Sequence, residues 1–254
     1  MPLSDGMYYA YSNRGLPSRP PVLLIHGAGS DHLCWPAQLR RLPGWNVLAV
    51  DLVGHGRSEG AALQSIEAYT ASILEFLDRL NIYNVILVGH SMGGAVAQTL
   101  ARLYPQRVPG LALLACGANL SGAVELAELL CNPVTRAGGF DKLEKILFSR
   151  GSDANLVNQT MQSLRSVRAG VMYADWMACA RFESAEWLAE ISASTWVGVG
   201  AQDRLTPPGA SMFLAERIPR ASLEVIEHAG HMLILEQPGK TARGLAGWLN
   251  KLFP

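Results

Sequence analysis

The 254-residue chain sets 21 Lys and Arg against 21 Asp and Glu and is 49% hydrophobic and 17% charged, a globular composition. It is long enough for one large α/β domain with an insertion, and its neutral balance offers no electrostatic footprint for nucleic acid or an anionic membrane surface. Cys34, Cys116, Cys131 and Cys179 form no C-x-x-C pair, which fits reduced thiols in a cytoplasm, and no apolar run approaches the roughly 20 residues of a membrane span.

Strands are expected near Met7–Tyr11, Val22–His26 and Val47–Asp51, with a helix over Trp35–Arg41 between the last two. Ile66–Leu80 reads as an amphipathic helix, with Ser65 as its N-cap and Glu67 in its first turn. A strand over Val85–Gly89 runs into an Ala-rich helix over Met92–Tyr104, and Leu111–Ala115 reads as the next strand. From about 119 to 192 the rhythm breaks. This block holds no convincing strand but short amphipathic helical patterns at Ala123–Cys131, Asp141–Phe148, Ala154–Val167, Val171–Phe182 and Ala185–Ile191. The alternation then resumes with a strand at Thr195–Gly200, a helix at Gly209–Arg217, a strand at Leu223–Glu227 and a helix at Lys240–Lys251. Such alternation implies a mostly parallel sheet covered on both faces, within a single domain spanning 1–254. The helical block, about 119–192, begins beside the C-terminal edge of that sheet, after the strand that ends near Cys116. It is therefore expected to act as a lid or cap, set just before the strand that leads to Asp203.

Gly89-His90-Ser91-Met92-Gly93 lies where a strand gives way to a helix, the setting of a G-x-S-x-G nucleophile elbow. The pentapeptide alone says little, because a serine before a helix is also an ordinary N-cap. A serine nucleophile needs a base to take its proton and a group to orient that base. His228 and His231 both follow the last strand, and Asp203 follows the strand before it. No H-E-x-x-H spacing occurs, so neither a metal nor a cofactor is expected.

Five motifs in order carry a resemblance to the α/β-hydrolase superfamily over nearly the whole chain. They are His26-Gly27-Ala28-Gly29, Asp51 to Ser58 (D-L-V-G-H-G-R-S), the elbow, Gly200 to Pro207 (G-A-Q-D-R-L-T-P), and Gly230-His231 followed by Glu236-Gln237-Pro238. The resemblance implies Ser91 as nucleophile, Asp203 as orienting acid and His231 rather than His228 as base. It also implies an oxyanion hole from the backbone N–H groups of Ala28 and Met92. Asp51 to Ser58 would hold a loop beside the site, with Arg57 in a structural ion pair, and Cys116 would be a small buried residue. A serine at the elbow argues against the epoxide-hydrolase and haloalkane-dehalogenase branches, whose nucleophile is aspartate. Meta-cleavage carbon–carbon hydrolases usually carry a tryptophan directly after the catalytic histidine, where this chain has Met232.

The expected activity is therefore that of a carboxylesterase, cleaving small, largely apolar esters through an acyl-enzyme. The expected partner is that small molecule, with no nucleic acid and no membrane. Met172 and Trp176, four residues apart on one helical face, are the expected pocket residues. Carbon–carbon hydrolysis, lactonase, thioesterase or acyltransferase activity on the same fold remain alternatives, as does a weakly catalytic small-molecule receptor.

Overall fold

A computed structural model describes residues 3, 4, 6–120 and 123–254. Six strands are parallel and adjacent in the order β4 (Asn46–Val50), β3 (Val22–Ile25), β5 (Ile86–His90), β6 (Gly110–Leu114), β7 (Ser194–Gly200) and β8 (Ala221–Ile226). Two antiparallel strands, β2 (Met7–Asn13) and the two-residue β1 (Leu3–Ser4), extend the β4 side, giving eight strands among the described residues. β1 was not foreseen. Two residues carry no readable period.

Alternation along each buried strand sends side chains to two cores. Leu23 and Ile25 join the cluster under α2 (Ile66–Arg79), α3 (Met92–Leu103) and α8 (Pro208–Arg217). Val22 and Leu24 join the cluster under α1 (Ala37–Arg40), the short α9 (Leu233–Glu236) and α10 (Pro238–Leu252). The helix expected over Trp35–Arg41 starts only at Ala37, because Pro36 lacks an N–H and disfavours the α conformation at Trp35. Ser65 caps α2 by accepting from the Ala68 N–H at 3.1 Å.

The block between β6 and β7 is helical. It contains α4 (Ala123–Cys131), α5 (Arg136–Leu147), α6 (Ala154–Ser166) and α7 (Ala169–Arg181). The expected fifth helix over Ala185–Ile191 is only a 3-10 turn at Leu188–Glu190. A segment this short gains too little from its own i→i−4 bonds to decide its form, so the surrounding contacts do. The chain is instead tied from outside, where the Ser184 N–H donates to the Ala118 carbonyl at 2.8 Å. Leu126, Leu130, Phe140, Leu143, Met172 and Trp176 belong to the same buried cluster as the sheet residues Leu23 and Leu111. The helical block thus has no separate core of its own. Among the described residues no helix is long and apolar enough to cross a membrane.

Candidate active site

Because six strands run parallel, their C-terminal ends share one edge, where ligands meet an open sheet. β5 delivers Ser91 there. The residue takes φ 53° and ψ −120° at the N-cap of α3, yet its side chain makes no capping hydrogen bond. Its N–H donates to the Leu114 carbonyl at 2.9 Å, which pins the turn to β6. Both flanking glycines are required by contact. A Cβ at Gly89 would meet the Gly93 carbonyl, and one at Gly93 would meet the carbonyls of Ile25 and His26. A non-glycine residue held in such backbone geometry stores about 1–3 kcal/mol, which the surrounding contacts must over-determine.

β7 and β8 deliver the other two residues. Nδ1 of His231 lies 3.0 Å from Oδ2 of Asp203, both side chains being buried. Asp203 Oδ1 accepts from the N–H groups of Leu205 (2.9 Å) and Thr206 (2.8 Å), and Oδ2 accepts from the Thr206 hydroxyl at 2.8 Å. Burial alone would raise the Asp203 pKa. The neighbouring His231 and these donors outweigh it and hold the carboxyl below its ordinary value. An ionised Asp203 orients the His231 ring so that Nε2 is the nitrogen left for other work. His228, in contrast, is exposed and offers only its carbonyl, to Gln237 Nε2 at 3.1 Å.

The oxyanion-hole candidates flank the same space. Met92 is the first residue of α3, so its N–H has no intrahelical partner. Ala28 sits inside a turn closed by the Ser30 N–H donating to the Gly27 carbonyl at 3.2 Å, a bond that leaves the Ala28 N–H unused. Ser91, His231 and Ala28 line a cavity of about 440 Å³. Its far wall is apolar and comes from the helical block: Leu143 and Leu147 of α5, Leu164 of α6, and both Met172 and Trp176 of α7. Gln159, Thr160 and Ser163 of α6 add a polar strip, and Met232 closes the side next to His231.

Several supporting residues were not singled out from the sequence. Glu236 accepts through Oε2 from the Gly230 N–H at 2.8 Å, beside His231. Through Oε1 it accepts from the Ser149 N–H at 2.8 Å and the Ser152 hydroxyl at 2.6 Å. One carboxylate therefore joins the histidine loop to the end of α5. Arg204, next to Asp203, donates to the Phe148 carbonyl at 2.8 Å. Asp175 of α7, fully buried, accepts from the Gly29 N–H. The motif that contains Glu236 was visible, but its reach to Ser149 was not, since 84 or more positions separate the partners.

The remaining motif residues have structural partners. Asp51 accepts from the His32 N–H at 2.6 Å and the Arg57 N–H at 2.9 Å, and lies 2.7 Å from His32 Nδ1. Arg57 donates to the Tyr8 hydroxyl at 3.3 Å and lies over that ring. Asp31, His32 and Asp51 come close enough to hold a metal ion, but two of Asp51's acceptor positions already serve His32 and Arg57. Burial pushes the Cys116 thiol up to about 12, which leaves it inert at neutral pH.

Residues 22–243 match the model of the alpha/beta hydrolase family. The chain is 28% identical over 271 residues to monoacylglycerol lipase ABHD6 of Bos taurus, covering 95% of this chain and 79% of that one. It is 29% identical over 242 residues to 2-hydroxymuconate semialdehyde hydrolase of Pseudomonas sp. strain CF600, covering 87% of this chain and 84% of that one. Among solved structures, a thermophilic esterase from Thermogutta terrifontis superposes with a TM-score of 0.87 at 26% identity, over 98% of this chain and 94% of the other. A family model matched across all six parallel strands makes the chain a member of the alpha/beta hydrolase family, and a hydrolase.

Proposed function

We propose that the protein hydrolyses carboxylic esters through a covalent acyl-enzyme on Ser91. The observation that carries this reading is the buried Asp203–His231 pair, at 3.0 Å, whose histidine lines one cavity with a strained, half-buried serine. In this mechanism His231 takes the Ser91 proton as the hydroxyl attacks the ester carbonyl. The N–H groups of Ala28 and Met92 receive the negative charge that develops on the carbonyl oxygen. One such donor is typically worth about 2.7–4 kcal/mol in the transition state. His231 then protonates the leaving alkoxide, and a water activated by the same imidazole releases the acid. No step in this route calls for a metal or cofactor.

The apolar wall supplied by α5, α6 and α7 favours an uncharged, hydrophobic acyl or alcohol group, with the helical block acting as the lid that sets its size. The relatives named for lipase and esterase activity support ester cleavage. The relative named for cleaving a semialdehyde supports a second reading, carbon–carbon hydrolysis. Met232, in the place where that branch usually has tryptophan, weighs against it.

A fluorophosphonate probe tests the proposal together with a panel of p-nitrophenyl esters of increasing chain length. One adduct on Ser91 and turnover that vanishes in Ser91→Ala are expected. Unchanged turnover in the folded variant would overturn it.

A further inference from the structure

The Asp175 carboxylate joins three segments that are distant in sequence. Oδ2 accepts from the Gly29 N–H at 2.7 Å and lies 2.7 Å from His55 Nε2, while Oδ1 accepts from the Tyr69 hydroxyl at 2.6 Å. The other nitrogen of His55 faces the Val53 carbonyl at 3.1 Å. Both ring nitrogens therefore face oxygens that can only accept, an arrangement satisfied by the doubly protonated ring. The surroundings agree, because burial disfavours the charged ring but Asp175 outweighs it and raises the His55 pKa. A buried ion pair of this kind seldom adds net stability over a well-packed apolar pair. Its consequence here is geometric.

Gly29 follows Ala28, and its N–H belongs to the peptide unit that Ala28 begins. Holding that N–H fixes the orientation of the Ala28–Gly29 peptide and hence the backbone of Ala28. Gly29 takes φ +63°, and a Cβ there would lie 2.7 Å from Met172 Sδ, so α7 rests directly on the turn. Met172 and Trp176, neighbours of Asp175 on α7, are also cavity wall. One helix thus both shapes the pocket and anchors the turn that carries an oxyanion donor.

We infer that Asp175 is a positioning residue. From the helical block it holds the Gly27–Ser30 turn so that the Ala28 N–H stays aimed at the oxyanion above Ser91. The inference rests on the ester-hydrolase reading. It makes transition-state stabilisation depend on how the block is seated, with no contact between Asp175 and substrate.

The test uses the full-length protein carrying Asp175→Ser, Asp175→Asn or Tyr69→Phe. The serine hydroxyl is too short to reach Gly29 but leaves room for water at His55 and Tyr69. The asparagine keeps one carbonyl oxygen for the Gly29 N–H. Tyr69→Phe removes the Oδ1 partner alone. The readouts are kcat and KM on p-nitrophenyl butyrate, and Ki for an alkyl trifluoromethyl ketone and its methyl ketone counterpart. Only the trifluoromethyl ketone adds Ser91 to give a tetrahedral oxyanion. Displacing a donor rather than deleting it should lower kcat by about tenfold in Asp175→Ser, below the roughly 10²–10³ seen on deletion. The trifluoromethyl ketone should weaken by the same factor, with KM and the methyl ketone unchanged. Asp175→Asn should recover most of the loss, and Tyr69→Phe should show none.

A folded Asp175→Ser that binds the trifluoromethyl ketone as tightly as the parent overturns the inference. So does an equal loss for both ketones. Independently of any variant, the Gly29 amide of the parent protein should be among the slowly exchanging amides of its loop, and rapid exchange would also overturn it. A parent protein without turnover or Ser91 labelling would instead overturn the underlying reading.

Discussion

His90 Nε2 donates to the backbone carbonyl of His231 at 2.9 Å, so the neighbour of the elbow serine holds the chain that carries the opposing imidazole. The two rings sit 5.1 Å apart and tilted by 54°. Burial, and then the proximity of His231, push the His90 pKa down to about 3, which keeps this ring neutral.

His90→Phe fills similar space but strands the His231 carbonyl. An unsatisfied buried acceptor costs about 1–3 kcal/mol, and a shifted imidazole slows proton transfer. The expected result is a lower Tm and a kcat reduced by roughly tenfold, read from thermal denaturation and steady-state ester hydrolysis.

His231 and His228 should separate cleanly. His231→Ala is expected to cut kcat by about 10³-fold or more, because it removes the imidazole proposed to accept the Ser91 proton. His228→Ala should leave kcat within about twofold, since this exposed ring touches neither Ser91 nor Asp203 in the described contacts. A reversed pattern in kcat would assign the base to the other ring.

Stability should respond to pH from two directions. The raised His55 pKa means that the folded state favours the protonated ring. Its contribution is complete below the ordinary value of 6.5 and is lost as pH rises through the higher folded value. The lowered Asp203 pKa acts oppositely. Its contribution is present above the ordinary value of 3.8 and is lost as pH falls through the folded value. His55→Gln should therefore flatten the alkaline limb of a Tm-against-pH curve, and Asp203→Asn the acid limb. His26 faces His55 with ring centroids 5.0 Å apart, but its pKa is pushed down to about 4 by burial and by His55, so it does not titrate on the alkaline limb.

Trp176→Ala should open the cavity toward α7 and admit bulkier esters. The truncation is expected to cost about 3–5 kcal/mol of stability, as large buried aromatics do. The shift should appear as a rise in kcat/KM for long or branched esters relative to acetate, with fluorophosphonate labelling of Ser91 retained. An unaltered ester preference would place substrate selection elsewhere on the wall.

The seven longer strands were legible because five of them are buried apolar runs bounded by turn residues, and the order of motifs at their ends told which residues meet at the edge. Met172 and Trp176 were legible as one face of one helix. Asp175, between them, was not. Its significance lies in partners 146, 120 and 106 positions away, and no local pattern encodes such separations. A charged residue within a helix also reads as a solvated one until its burial is known. The polar strip of Gln159, Thr160 and Ser163 was missed for a related reason: the sequence of the helical block shows which residues are apolar, but not which face the cavity.

The grip of Glu236 on Ser149, Ser152 and Gly230 bears on how freely the helical block could be exchanged. A block grafted from another hydrolase would need a backbone N–H at the Ser149 position to occupy Glu236, and an acceptor at position 175 for Gly29. Without the first, the Glu236 carboxylate would lose partners where it also holds the loop of His231. Chimeras matched only in length and hydrophobic pattern should then fold with impaired chemistry. Those that carry the two polar junctions should exchange substrate range while keeping the reaction, so modularity here resides in a few hydrogen bonds at the seams.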